Sequence, residues 1–228
     1  TSNACSVEYS FTGGTATLGD GDYTVITPSP ISFTAGGSPT ASIIVRVNGD
    51  TKVELNETVE ISLSNPVNGS ILDELGVGTI NNDDAAILSI TNPTVTEGDA
   101  GTQNMTFGLS LSNPSDANVV VNFATMNGTA TTADLDYQNN SGSHTFTPGQ
   151  TTKQVVVLIS GDCKTEPNET FAVHLNGFIN NGRNVSLSGG GATLDGTGTI
   201  VNDDALPVLT CPMSANYNTP TGQCNATV

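Results

Sequence analysis

GDCKTEPNETFAVHL, residues Gly161 to Leu175, opens on a Gly-Asp pair, passes two glutamates (Glu166 and Glu169) and closes on an alternation that sets Phe171, Val173 and Leu175 on one face. A period of two marks a half-buried β-strand, because successive side chains of an extended chain point to opposite faces. GDTKVELNETVEISL, starting at Gly49, repeats the pattern 112 residues earlier, with Val59, Ile61 and Leu63 opposite Glu60, Ser62 and Ser64. Met105, Phe107, Leu109 and Leu111 alternate in the same way. Between such runs stand turn signals: SNP at 64–66 and 112–114, NGT at 127–129 and TPG at 147–149. Helix signals are scarce, and 25 Gly and 11 Pro punctuate a chain rich in Thr, Ser, Val and Asn. Short strands spaced this way predict an all-β protein of antiparallel β-sandwiches.

The match extends well beyond one strand. GTATLGDGDY (Gly14–Tyr23) lies over GTATTADLDY (Gly128–Tyr137), so Asp22 precedes Asp136 by 114 residues; FTAG at 33–36 meets FTPG at 146–149. GTINNDD, ending at Asp84, meets GTIVNDD, ending at Asp204, at an offset of 120. The growth in offset from 112 to 120 falls in NGRNVSLSGGG (Asn181–Gly191), whose glycines and asparagines place it on a loop. Two tandem copies of one module follow. The second opens with about thirty residues, Ala85–Pro114, that have no counterpart in the first. The chain therefore divides into a first repeat over 1–84 without its opening strands, a complete repeat over 85–205, and a different segment over 206–228. Asp83 and Asp84 run straight into Ala85, and Ile87, Leu88 and Ile90 begin the next strand, which leaves the junction little slack.

Charge narrows the partners. The 228 residues carry 22 Asp+Glu against 5 Lys+Arg, a net charge of -17. Such a field repels nucleic-acid backbones and anionic membrane surfaces and attracts cations. No run of 18 apolar residues occurs, and Thr1 opens no charged-then-apolar leader, so no membrane insertion is expected. The acids recur at loop positions in both copies: Asp22, Asp50, Glu54, Glu57, Asp83 and Asp84 in the first, and Glu97, Asp136, Asp162, Glu166, Glu169, Asp203 and Asp204 in the second. Two like charges ~4 Å apart repel by about 1 kcal/mol in water and more where buried, so carboxylates gathered at one tip need a cation. Calcium suits them, since it accepts six to eight hard oxygens in flexible geometry; magnesium demands stricter octahedra, and zinc favours His and Cys, which these positions mostly lack.

TVTEGD, GTATTADLDY, FTPGQTTKQVVVLISGD, EPNETF and GTIVNDD, in this order, resemble a Calx-beta domain, completely over 85–205 and without its start over 1–84. The resemblance implies immunoglobulin-like sandwiches and an extracellular or regulatory calcium-binding role. It carries a ligand function onto Glu97, Asp136, Asp162, Glu166, Asp203 and Asp204, with Glu169 beside them. The first copy has no equivalent of Glu97. The exchanger module that binds most ions has two adjacent acids where this chain has Asp162-Cys163 or Asp50-Thr51, and three aspartates where this chain has two; fewer ligands imply fewer ions or lower affinity. The tail, with Cys211-Pro212 and TPTGQC ending at Cys224, is similar to the start of a hyalin repeat, another extracellular module. Cys211 and Cys224 could close a small disulfide loop in an oxidising compartment, while Cys5 and Cys163 have no equivalent in the other copy and are expected to be unpaired.

No catalytic constellation emerges. His144 falls on the Phe146 face, where the first copy has Ile31, and reads as a core residue; His174 aligns with Ser62 on the polar face. Cys163 has no His or Asn partner, and Tyr23 and Tyr137 read as aromatics that anchor the turns before them. The sequons at Asn56 and Asn168 lie inside the repeated NET among the candidate ligands, and no glycan is expected there. The expected function is a non-enzymatic, calcium-stiffened segment of a long extracellular adhesin or surface filament. Its partners would be calcium ions, neighbouring modules of the same chain, a strand-donating segment, and a host or cell-surface protein or glycan. The alternatives are a calcium sensor and a recognition module, the last disfavoured by 5% aromatic content and the absence of Trp.

Overall fold

The computed structural model describes residues 3–206; the tail bearing Cys211, Cys224 and the hyalin-like segment lies outside them. The first module holds β1 (Cys5–Gly14), β2 (Tyr23–Val25), β3 (Ile31–Phe33), β4 (Val45–Val47), β5 (Glu57–Val67) and β6 (Leu75–Ile80). The second holds β7 (Ala86–Ile90), β8 (Thr94–Thr96), β9 (Gly101–Leu111), β10 (Val119–Asn127), β11 (Ser141–Phe146), β12 (Thr152–Gly161), β13 (Glu169–Ile179), β14 (Val185–Leu187) and β15 (Leu194–Val201). No helix forms among the described residues.

The second module is a sandwich of two sheets, ordered β11-β10-β13-β15-β8 and β12-β9-β7-β14. Its interior is filled by the residues that alternation selects: Met105, Phe107, Leu109 and Leu111 from β9, and Phe171, Val173 and Leu175 from β13, all buried. Most pairings are antiparallel, but two are parallel, β14 with β7 and β15 with β8. The second arises where the chain changes sheets. After Ile90 the chain turns at Asn92-Pro93 and crosses from one sheet to the other, where β8 runs alongside β15. Pro93 cannot donate to a ladder, and its carbonyl accepts the Thr199 N–H at 3.0 Å.

Residues 181–191, expected to be loop, contain β14. Val185 and Leu187 are buried and Ser186 is exposed, so even three residues of alternation close the sheet edge beside β7. Among the described residues the first module forms only the sheet β3-β1-β5-β6 and the ribbon β2-β4. Its core cluster of buried residues is Ala16, Tyr23 and Val59, while Ile44, Val47, Leu75 and Val77 are exposed.

Candidate metal centre

One turn geometry builds the heart of both sites. Thr131 N–H donates to Asp136 Oδ2 at 2.6 Å, and Asp136 N–H returns a bond to the Thr131 carbonyl at 3.2 Å. Thr17 and Asp22 reproduce both bonds, at 2.6 and 3.2 Å. The residue before each aspartate is left-handed, Gly21 at φ 87° and Leu135 at φ 71°. That conformation is free for glycine and strained for leucine, and it turns the buried aspartates inward. Tyr137 behind Asp136 stacks on Phe171, with ring centroids 4.3 Å apart, and donates its hydroxyl to Asn127 Oδ1 at 2.5 Å. The turn is therefore bolted to the core.

Against each aspartate come the acids of the loop entering β5 or β13. Asp22, Glu54 and Glu57 each offer a carboxylate oxygen with all three within 4.8 Å of one another, and Asp136, Glu166 and Glu169 do the same. Asp50, Asp83 and Asp84 line the same cavity as the first trio. All six acids anticipated in the first copy thus meet. Glu169, which stood only beside the carried-over ligands, belongs to the second trio.

The second module extends its cluster on the other side. Because β8 lies parallel to β15, with Thr96 opposite Val201, the next residue, Glu97, arrives beside Asp203 and Asp204. Glu97 N–H donates to the Val201 carbonyl at 3.2 Å, and Gly98 N–H to Asp203 Oδ1 at 3.0 Å. A Cβ on Gly161 would sit 2.1 Å from the Gly98 carbonyl oxygen, so only glycine lets this strand approach Asp162. Around Gly49, the matching position, nothing stands within 4 Å.

Crowding of like charges shows in the protonation of these groups. Glu97 is pushed up to about 7 by burial and by Asp162, Asp204, Glu166 and Asp203. Glu169 rises to about 7 through burial and Asp136, and Glu57 to about 7 through burial and Asp22. Asp204 is also raised, by burial and by Asp99. Asp99, and Asp134 near Glu169, join the cluster although neither was among the anticipated ligands. Asp99 falls in the segment absent from the first copy, so the repeat comparison could not flag it, whereas Asp20 matches Asp134 in the aligned turn and was a usable signal.

In this state lysines supply the countercharge. Lys52 Nζ lies 2.5 Å from Glu54 Oε1, and the equivalent Lys164 pairs with Glu166. Two oxygens are left unsatisfied: Asp204 Oδ2 and Asn202 Oδ1 are buried without a hydrogen-bond partner. An orphaned carboxylate oxygen amid four or more acids is costly unless a cation meets it. The donor set is entirely oxygen, from acid and amide groups, and it fits a hard divalent ion of calcium's coordination habit.

Ion-free protein should therefore gain stability as pH falls. The folded-state values of Glu57, Glu97 and Glu169, about 7, lie above their ordinary 4.5. The folded state then binds more protons than the unfolded chain between those values. The repulsion is present in full above pH 7 and relieved towards 4.5. Circular-dichroism melts in EDTA should show a higher melting temperature at pH 5.5 than at pH 8. A flat or falling profile would contradict this.

The other singled-out residues take structural places. His144 is half-buried and stacks on Phe123 at 5.1 Å, and its Nε2 has no partner. His174, read as a polar-face residue, is half-buried and pairs through Nδ1 with Asp195 at 2.5 Å. Asn56 and Asn168 Oδ1 accept the N–H groups of Asn82 and Asn202, fastening the loop before β5 or β13 to the Asn-Asp-Asp segment. Cys5 and Cys163 are both free thiols.

Fold and site together define a tandem all-β sandwich protein with carboxylate clusters at the loop ends. The sequence profile of the Calx-beta domain matches residues 1–80 and again 81–204, and the chain belongs to the Calx-beta family. Similar solved structures include the apo form of the Calx CBD1 domain, 20% identical, covering 53% of this chain and 100% of that one with a TM-score of 0.45. The two-domain CBD12 from CALX1.2 is 19% identical and covers 87% of this chain and 88% of that one, with a TM-score of 0.42. The calcium binding domain CBD12 of CALX1.1 is 18% identical, with 87% of each chain covered and a TM-score of 0.39.

Proposed function

We propose that this chain is a calcium-binding structural segment of a long, repetitive extracellular protein, in which bound ions order the loops at the tip of each module. The observation that carries the reading is the recurrence of one carboxylate trio, Asp22/Glu54/Glu57 and Asp136/Glu166/Glu169, at matched positions of both copies. Calcium, when bound, supplies the positive charge that these groups lack. Asp136, Glu166 and Glu169 would hold it on one side of the second cluster, and Glu97, Asp162, Asp203 and Asp204 on the other. In the first module Asp22, Asp50, Glu54, Glu57, Asp83 and Asp84 would do so. Each lysine would give way to the ion. The extracellular placement is supported by the acidic surface, the repeat architecture and the Cys211…Cys224 spacing in the hyalin-like tail.

A calcium-sensing role is the second reading. Its support is that the loop carrying Asp50 and Glu54 also touches the second module, so occupancy of the first site has a route to the neighbour. Isothermal titration calorimetry with calcium, magnesium and a Glu166→Gln variant tests binding and separates the two. A stalk should saturate only towards millimolar calcium, whereas a sensor should titrate near micromolar. No heat at millimolar calcium, or the same isotherm for Glu166→Gln, would overturn the calcium reading.

A further inference from the structure

Val53 is fully buried, and among the described residues it is the one side chain of the first module in the core cluster of the second. It reaches there on the loop between Asp50 and Glu57, whose acids face the first-module cavity. Val53 N–H donates to the Pro114 carbonyl at 2.8 Å, and Asp116 N–H donates to the Val53 carbonyl at 3.2 Å. The chain thus forms a one-residue parallel bridge with Ser115, itself buried. The Ser115 carbonyl in turn accepts the Gly149 N–H at 3.0 Å. Asp116 is clamped from behind by Arg183, whose Nε and Nη2 each donate to one carboxylate oxygen at 2.7 Å. Planar two-bond pairing of this kind fixes orientation as well as charge. Arg183 sits in the Asn181–Gly191 stretch, where the offset between the copies grows from 112 to 120.

We propose that Val53 and its socket, the Pro114–Asp116 corner backed by Arg183, form a cation-independent docking site that decides which module can precede which. No atom of the plug or its backbone partners is a metal donor of either cluster, so the contact stands on apolar burial and two backbone hydrogen bonds. The partner that the socket accepts is a Calx-beta module presenting a β-branched aliphatic side chain four positions after the glycine of its Gly-Asp pair. The second copy does not present one. Its matching residue is Thr165, which is exposed, and Pro167 stands where the first copy has Leu55, whereas Asp162, Lys164, Glu166 and Glu169 keep the pattern around them. Thr165 would carry a hydroxyl into a socket lined by a hydrocarbon core, where an unpaired polar group is unfavourable. The copies therefore share the ion-facing side of this loop and differ on the side that faces a neighbour, which makes docking directional.

The test uses the whole chain, with and without EDTA, by amide hydrogen exchange and NMR relaxation. In EDTA the parent protein should show a protected Asp116 amide and a common rotational correlation time for both modules. Val53→Thr should speed Asp116 exchange by about tenfold or more, through local opening of the junction, and split the two correlation times. Val53→Ile should preserve both. Should Val53→Thr unfold the first module, Arg183→Gln supplies the second arm: it lies outside that module and should loosen the same amide. An Asp116 amide that exchanges freely in EDTA in the parent protein, or variants that leave exchange and tumbling unchanged, would overturn the proposal. Neither outcome depends on whether calcium binds.

Discussion

Millimolar calcium should raise the melting temperature of this protein by about 5–10 °C over its value in EDTA at pH 8, and Asp136→Asn should remove most of the second module's share. The size follows from linkage. A ligand that binds only the folded state adds about 2.7 kcal/mol at a hundred times its dissociation constant, and each kcal/mol moves the midpoint of a 150–250-residue protein by about 2–4 °C. Asparagine isolates the electrostatic role, because its amide oxygen can still accept the Thr131 N–H that now ends on Asp136 Oδ2. The turn survives while one negative charge next to Glu166 and Glu169 disappears. The variant should accordingly melt higher than the parent in EDTA and lower than the parent in calcium. Differential scanning calorimetry in both buffers reads this crossing directly. Parallel curves, with the variant shifted the same way in both, would mean that Asp136 acts only as a turn residue and that no cation completes the cluster.

Much of this arrangement was legible before any coordinates. Period-two alternation picked out Phe171, Val173 and Leu175, because a sandwich buries one face of each strand and nothing local competes. The first-copy acids were found as a set because two copies sample the same fold, and positions held while strand residues drift stand out. What escaped depends on contacts between distant segments. Nothing in the sequence marks Val53; its burial comes from a surface more than sixty residues away, beside Ser115. The parallel pairing of β8 with β15 was hidden because three residues, Thr94 to Thr96, carry too little pattern to show which sheet they join. β14 looked like loop because Gly189, Gly190 and Gly191 dominate its surroundings, and only the buried pair Val185 and Leu187 reveals it as a strand.

Residues 1–84 on their own should fail to unfold cooperatively, and the opening strands of the second module should restore the transition. The open face of the first module is specific in what it lacks. In the second module Gly198 lies so close under β9 that a Cβ there would sit 2.5 Å from Met105 Sδ and 2.8 Å from Phe107 Cζ. The first copy keeps the glycine as Gly78, although nothing stands within 4 Å of it. Gly49 likewise keeps the room that Gly161 needs beside Glu97. Retained glycines with empty space above them, with Gly78 and Gly76 paired to Val59 and Ile61 on the apolar face of β5, describe a seat for a β7–β9-like segment. Without that cover, four buried hydrophobic residues, Tyr9, Ala16, Tyr23 and Val59, must offset the ordering of a whole module, and isolating it also strips Val53 from its socket. Its folding free energy should lie near zero, against about 5–15 kcal/mol for an ordinary domain. Val119 corresponds to Cys5 in the repeat, so Ala85–Asn118 fused directly ahead of Cys5 would place the strands in register. The fusion should recover a sigmoidal urea transition and bring a Glu97 side chain to Asp83 and Asp84, tightening calcium binding at the first site. A cooperative transition for the isolated 1–84 segment, or a fusion no more cooperative than that segment, would show that the open face needs no such cover.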